Sequence, residues 1–396
     1  MNNLVVKLGD ITVGGLRHRS GDSWEFRFYT EYIELHHRPV LSQYFEDDLL
    51  HVHRSNLSLP PFFSNLLPEG PLRELVAQQR EISEQREALL LEALGKDLPG
   101  AVVVEQSTND NGHNGDESQE EETEAPEHVS LLKFSLAGVQ LKFSVLRRAE
   151  RLTLPVTGQG GDWIVKLPAA NYPRVPANEF SMLRWAHLAG IEVPEHELVP
   201  VNQIQGLPSQ LQFSESEAFA IRRYDRTLNG RIHQEDFAQV LGLYPSKKYS
   251  KFNYETIANI IHAVAGTKAL LDYARRLTFV VLSGNGDAHH KNWSFLYPDG
   301  QRATLAPAYD LVFTKAYIAD DGLALKFNGS RRFSDVTMEG FRRLARKANF
   351  DETQLSNVVA EAAERIREVW RVHGPEMPIE AETRAKLDRH LSSVRI

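Results

Sequence analysis

Cysteine is absent from all 396 residues, which excludes disulfides, thiolate zinc sites and thiol nucleophiles. Long hydrophobic runs are absent as well: no stretch approaches the ~20 apolar residues that span a bilayer. The first residues, Met1-Asn2-Asn3-Leu4-Val5-Val6-Lys7, lack the basic and apolar regions of a signal peptide. Together these absences predict a cytoplasmic chain with no membrane association, and the missing cysteine suits a reducing compartment. Positive charge is missing from one segment. Between Glu105 and Glu127 stand nine carboxylates and no Lys or Arg, which exceeds the whole net charge of −8. The remainder is therefore close to neutral, and overall acidity describes one segment rather than a substrate or partner.

What is present reads as a globular chain, with 42% apolar and 25% charged residues. Its length predicts two or three domains. Residues 1–104 read as a small α+β domain. Strand-like runs at Leu4–Leu8, Ile11–Val13 and Trp24–Tyr29, with a break at Gly14-Gly15, precede a helix from about Leu72 to Leu94. Residues 105–128, nearly free of aliphatic side chains, cannot offset the entropy of ordering and read as a disordered linker. Residues 129–225 read as a sheet lobe. It has strands at Leu152–Val156, Trp163–Pro168 and Phe219–Arg226, and a helix capped by Asn178 and ended by Gly190. Residues 226–396 read as a helical lobe, with helices from about Gln234 to Leu282 and again after Thr337, and a hairpin turning at Pro298-Asp299-Gly300. Strands first and helices afterwards, with a polar hairpin between them, predict an α+β, bilobal, protein-kinase-like fold.

The polar run Gly284-Asn285-Gly286-Asp287-Ala288-His289-His290-Lys291-Asn292 leaves the apolar segment Leu277–Leu282, and Tyr309-Asp310 follows beyond the hairpin. An Asp, an Asn five residues on and a second Asp form the layout of kinase-type phosphoryl transfer. One carboxylate receives the proton of the acceptor hydroxyl, while an amide and a second carboxylate hold Mg²⁺ on the nucleotide phosphates. Asp287 is the candidate base, and Asn292 and Asp310 are the candidate metal ligands. His289 suits a phosphate contact or the orientation of Asp287, and a solvated loop histidine equally well. Lys166, in a strand of apolar residues, needs a negative partner, which ATP phosphates supply; Glu179 on the next helix is the carboxylate that would hold it. The loop from Ser135 to Lys142 would cover the phosphates with backbone N–H groups. Gly266-Thr267-Lys268 lacks the upstream glycine of a Walker loop, and the histidines have no zinc spacing. Arg331-Arg332 and Arg342-Arg343 through Arg346-Lys347 read as a charged helix face rather than a nucleic-acid patch.

These motifs resemble those of the HipA family of serine/threonine kinases, the toxin halves of bacterial toxin–antitoxin pairs. The matching text is Phe62–Gly70, Ser135–Lys142, Ile164–Pro168, Arg223–Arg226, His233–Phe237, Gly286–Asn292 and Tyr309-Asp310. The resemblance implies that Asp287 is catalytic and that Ala137, Gly138, Val139, Gln140, Leu141, Lys142 and Lys166 contact phosphate. It implies that Arg222, Arg223 and Tyr224 form a hinge reading adenine through the backbone, and that His289, Asn292, Tyr309 and Asp310 contact nucleotide or metal. The family often has Glu where Arg222 stands, a small departure for a main-chain contact. Ser135 matches a serine that members phosphorylate on themselves; a phosphate there would oppose docking of the loop on ATP.

The resemblance further implies ATP and Mg²⁺ as cofactors and a HipB-like helix-turn-helix antitoxin that brings the complex to operator DNA. The implied substrate is a protein of the translation machinery, such as an aminoacyl-tRNA synthetase. Two other classes stand beside this one: a nucleotide-sensing corepressor whose catalysis is dispensable, and a small-molecule phosphotransferase sharing the Asp-plus-Asn logic.

Overall fold

A computed structural model describes residues 3–19, 23–107, 141–148, 151–154, 160–169, 172–207 and 213–396. The acidic run beyond Ser107, Ser135 and the loop positions Ala137 to Gln140 lie outside the described residues.

The amino-terminal domain is an antiparallel five-stranded sheet in the order β4-β3-β2-β1-β5. Its strands are β1 (Leu4–Leu8), β2 (Ile11–His18), β3 (Ser23–Phe28), β4 (His53–Asn56) and β5 (Val102–Gln106). Four helices, α1 (Thr30–Ile33), α2 (Pro61–Ser64), α3 (Pro71–Gln79) and α4 (Glu87–Leu94), cover it. Alternation in β1 buries Leu4, Val6 and Leu8 against Phe26, Phe62, Phe63, Leu90 and Leu91, as a half-buried strand requires. The structure corrects the sequence reading at three places. Gly14-Gly15 does not break β2; a Cβ at Gly14 would lie 2.3 Å from the Arg27 carbonyl, so the glycine permits close strand approach. The single helix expected from Leu72 to Leu94 is two, parted where Glu81 takes a left-handed φ of 53° and Arg73 bonds the Glu84 carbonyl. The boundary at residue 104 falls inside β5, because Glu105 and Gln106 still pair with Val5 and Leu4.

The sheet lobe holds six strands in the order β10-β7-β6-β8-β11-β9. They are β6 (Lys142–Arg148), β7 (Arg151–Thr153), β8 (Trp163–Lys166), β9 (His196–Pro200), β10 (Ile204–Gln205) and β11 (Glu217–Arg222). Helix α5 (Val175–Leu188) links this sheet to the helical lobe. Its Trp185 is fully buried, packs on Phe279 and Trp370 at 4.9 and 4.7 Å between ring centroids, and donates to the Ile366 carbonyl at 2.9 Å. Asn178 does not cap α5, which begins three residues earlier. It is buried within the helix and clamps the backbone of Phe313, accepting from its N–H at 2.9 Å and donating to its carbonyl at 3.1 Å.

A small hairpin, β12 (Arg226–Thr227) with β13 (Gly230–Arg231), leads into the helical lobe. There β14 (His233–Asp236) pairs with β15 (Ser294–Tyr297), which pairs with β16 (Thr304–Leu305). Gln234 is thus in a strand rather than at the start of a helix. Helices α6 (Phe237–Val240), α7 (Tyr254–Leu282), α8 (Met338–Lys347), α9 (Glu352–His373) and α10 (Ala381–Ser393) complete the lobe. Its core includes Leu277, Val281, Phe341, Leu355 and Ile366. Among the described residues no helix is long and apolar enough to cross a membrane.

Candidate active site

The end of α7 delivers the polar run Ser283–Asn292 as a loop whose shape is set by its own side chains. Asn285 is fully buried; its Oδ1 accepts from the Asp287 N–H at 2.9 Å, and its Nδ2 lies 3.4 Å from the Asp310 carbonyl. The Gly286 N–H donates to Thr314 Oγ1 at 2.7 Å. A Cβ at Gly286 would sit 2.0 Å from an Asp321 carboxylate oxygen, so no other residue fits there. Asn292 Nδ2 donates to the Asp287 carbonyl at 2.7 Å, closing the five-residue span into one turn. The hairpin β15–β16 then returns the chain, and Asn285, Asn292, Ser294, Tyr309 and Asp310 line one pocket of the helical lobe. Asn292 bonds the Asp287 backbone, and Asn285 ties the Asp287 N–H to the Asp310 carbonyl, which brings the three expected residues together.

From the sheet lobe, Lys166 enters the same place. Its Nζ bonds Glu179 Oε1 at 2.6 Å and also contacts Asp310 Oδ1. Glu179 is buried on α5; burial raises its carboxyl, and Lys166 opposes that rise. Burial also works against the Asp310 charge, but Lys166 and Lys142 hold that carboxyl well below the ordinary range. Lys142 stands directly across from Lys166 on β6. Desolvation lowers its ammonium, Asp310 raises it, and the Lys166 charge lowers it again. Two like charges on one face of adjacent strands destabilise a sheet, and the arrangement suits a polyanion. Asp310 adopts a left-handed φ of 53°, backbone strain of the kind concentrated at functional sites.

Burial pushes the Asp287 carboxyl up; a hydrogen bond from the Tyr249 hydroxyl at 2.6 Å acts the other way. Tyr249 gave no signal in the sequence reading, since it lies in the unrelated stretch before α7. His289 Nε2 is 3.9 Å from Asp287 Oδ1. Burial drives the His289 imidazole down to about 3, so it is neutral near pH 7. Its Nδ1 is buried without a partner among the described residues.

At the expected hinge, the Arg222 and Arg223 amides already donate to the carbonyls of Glu195 and Asp162, each at 2.8 Å. Only the Tyr224 amide lacks a described partner. Arg223 turns its guanidinium to Asp225 at 2.8–2.9 Å and to Asp97 of the amino-terminal domain at 3.5 Å. The Tyr309 ring lies 5.6 Å from that of Tyr224, and its hydroxyl is held by the Lys291 carbonyl at 2.8 Å and Ser294 Oγ at 2.6 Å. Leu141 is buried, its carbonyl accepting from the Leu167 N–H at 2.8 Å. The clusters around Arg342 and Arg346 pair with Glu339 on the exposed face of α8, at 3.6 and 2.9 Å.

The amino-terminal domain supports the loop from behind. Lys291 Nζ donates to Asn65 Oδ1 and to its carbonyl at 3.0 Å, and lies 3.5 Å from Glu69. Glu69 accepts from Lys248 at 2.7 Å. Thus Phe62–Gly70, quoted above only as a motif, contributes Asn65 and Glu69 to the underside of the Asp287 loop.

A sheet lobe and a helical lobe meeting at a lysine, two aspartates and an asparagine define a kinase-like architecture with an added amino-terminal domain. Residues 4–105 match the HipA N-terminal domain and residues 134–370 the HipA-like C-terminal domain. The second match spans more than half of the sequence, and the chain belongs to the HipA family. It is 41% identical over 379 residues to the candidate kinase Y4dM of Sinorhizobium fredii, covering 94% of this chain and 92% of that protein. It is 27% identical over 296 residues to the serine/threonine-protein kinase toxin HipA of Shewanella oneidensis, covering 65% and 63%. The solved structure of Shewanella oneidensis HipA with HipB and its operator DNA has the same fold. Its TM-score is 0.69 at 20% identity, covering 98% of this chain and 95% of that one.

Proposed function

We propose that this chain is an ATP- and Mg²⁺-dependent serine/threonine protein kinase that restrains growth and is neutralised by a HipB-like antitoxin. The observation that carries the reading is a chain of contacts: Lys166 meets Asp310, 144 residues away in the sequence, Asn285 links the Asp310 carbonyl to the Asp287 N–H, and Asn292 bonds the Asp287 carbonyl. Asp287 would accept the proton of the acceptor hydroxyl. Lys166, fixed by Glu179, would draw the phosphates against the sheet. Lys142 would add a second positive charge, Ala137, Gly138, Val139, Gln140 and Leu141 would contact the phosphates, and Ser135 would be the site of inhibitory self-phosphorylation.

The donor set fits Mg²⁺. Asn292, with its Nδ2 turned to Asp287, leaves an amide oxygen, and Asp310 keeps Oδ2 clear of described partners; hard oxygen ligands in this number suit a cation that also binds phosphates and water. When bound, the cation would neutralise phosphate charge. Among the described residues no three acidic or histidine side chains gather to hold a metal unaided.

The implied protein substrate remains a translation component such as an aminoacyl-tRNA synthetase, and operator DNA would be reached mainly through the antitoxin. Asp287→Asn should abolish both phosphate transfer from labelled ATP and growth arrest, a loss of roughly a thousandfold or more in rate, with the thermal melt unchanged. Retained arrest would sink the kinase reading. Operator binding measured with antitoxin present separates the corepressor alternative, which requires the nucleotide but not the base.

A further inference from the structure

We propose that Tyr249 is a positioning residue of this site: its phenol holds Oδ1 of Asp287, so that Oδ2 is the oxygen presented to the acceptor hydroxyl. The inference rests on the reading of Asp287 as the general base. The phenol donates to Oδ1 at 2.6 Å, and no described residue bonds Oδ2. The nearest alternative, His289 Nε2, is 3.9 Å from Oδ1, beyond hydrogen-bond range.

Tyr249 is seated by three separate parts of the molecule. The carbonyl of the preceding Lys248 accepts from the His290 N–H at 3.2 Å and lies 2.6 Å from His290 Nδ1, which ties the segment to the catalytic loop. The Lys248 ammonium bonds Glu69 of the amino-terminal domain at 2.7 Å. Arg331 donates to the Tyr249 carbonyl at 2.6 Å. The ring meets His289 edge-on, with centroids 4.9 Å apart. A side chain that is 40% exposed would sweep many rotamers without such anchoring. Its backbone is instead fixed where the phenol reaches the base.

The chemistry of the neighbours agrees. Burial, followed by the Asp287 charge, raises the Tyr249 hydroxyl far above its usual range, so it stays a donor. Burial keeps His289 neutral, so it adds no positive charge beside the carboxylate. Burial, Asp310 and Asp321 favour a protonated Asp287, and the phenol's hydrogen bond, with the Lys248 charge behind it, opposes them. In transfer, the acceptor oxygen would bond the γ-phosphorus as the bond from that phosphorus to its bridging oxygen breaks, ADP would leave, and the acceptor proton would pass to Oδ2. Tyr249 keeps its own proton throughout.

The test uses the full chain labelled with ¹³C at aspartate carboxyls, the Asp287 signal being the one lost in Asp287→Asn. In Tyr249→Phe its titration midpoint should rise by about one pH unit or more, the loss of a hydrogen bond to a charged group. An unchanged midpoint overturns the proposal whether or not phosphate transfer is observed, so its failure is distinct from failure of the kinase reading. In the active enzyme, the acidic limb of the kcat/KM profile should move up by the same amount, with KM for ATP unchanged. Arg331→Ala, which loosens the Tyr249 backbone but leaves the phenol, should give a smaller shift in the same direction and guards against misfolding of the first variant. Phosphate found on Tyr249 after incubation with ATP would also overturn the proposal, since the residue would then be an acceptor.

Discussion

Behind the Asp287 loop, where the amino-terminal domain meets the rest of the chain, carboxylates are held by cations or by several hydrogen-bond donors. Glu69 faces Lys248 and Lys291. Asp225 is forked by Arg223 and Arg226 and accepts from the Gly100 N–H at 2.8 Å. Glu235 takes hydrogen bonds from the Gln43 N–H at 3.0 Å, the Tyr297 hydroxyl at 2.5 Å and Ser42. In front of the loop, beside the Lys166 contacts to Glu179 and Asp310, like charges also stand together. Lys142 stands against Lys166, Asp287 feels Asp310, and a buried imidazole has an unpartnered nitrogen. The same loop separates both regions, so the difference is not one of burial. Both sides keep a buried imidazole nitrogen without a described partner, on His233 and on His289; what sets the front apart is that like charges adjoin the Lys166 contacts, as at sites that take a charged ligand.

The largest effect expected from this contrast is at Lys166. Lys166→Ala leaves Glu179 and Asp310 without their shared cation, which should cost about 3 kcal/mol in urea unfolding. ATP-dependent transfer should fall at least a hundredfold. A stable but inactive variant would show that the two carboxylates find other compensation, and the front would then resemble the rear.

Glu235→Gln probes the rear. It should destabilise by about 1–3 kcal/mol while transfer stays near wild type. The pH dependence sharpens the point. Burial pushes the Glu235 carboxyl up to about 7 from 4.5. Folding therefore takes up a proton between those values, and the stability Glu235 contributes in acid fades as pH rises through about 7. The deficit of the variant should accordingly shrink with rising pH, by up to about 1.4 kcal/mol per unit. Neighbouring His233 has the opposite sign: burial lowers it to about 4, so its neutral form supports the fold above the usual histidine range and that support is lost as pH falls toward 4. With Glu235 removed, stability of the variant should rise between about pH 4 and 6.5. Parallel melting curves for the two proteins across that interval would remove the assigned role of Glu235.

The smallest effect belongs to Glu69→Gln. Its carboxylate is 35% exposed, so screening should hold the cost under about 1 kcal/mol. The rate should change by less than about threefold, because Asn65 still holds Lys291. A larger loss of transfer would mean that the amino-terminal domain tunes the catalytic loop rather than merely bracing it.

Local chemistry carried much of this into view before any coordinates. The run Gly284–Asn292 announces a loop because polar and glycine residues end an apolar helix, and Asp287 and Asn292 lie close enough in the chain to meet within it. The strand around Lys166, the hairpin at Pro298-Asp299-Gly300 and the helix beginning after Thr337 follow equally from short-range pattern. Breaks were less legible. Glycine pairs signal turns, yet Gly14-Gly15 serves a close strand crossing. Apolar spacing continues across residues 80–86, although the chain turns there.

Composition and periodicity thus specify which segments become strands, helices and loops, since each depends on neighbours a few residues away. They are silent on which segments touch. The contact of Lys166 with Asp310, the reach of Tyr249 to Asp287 and the support of Lys291 by Asn65 arise only when α5 is wedged by Trp185 and the amino-terminal sheet docks behind the loop. Those pairings depend on how whole layers pack, and packing geometry is a property of the assembled core rather than of any stretch of residues.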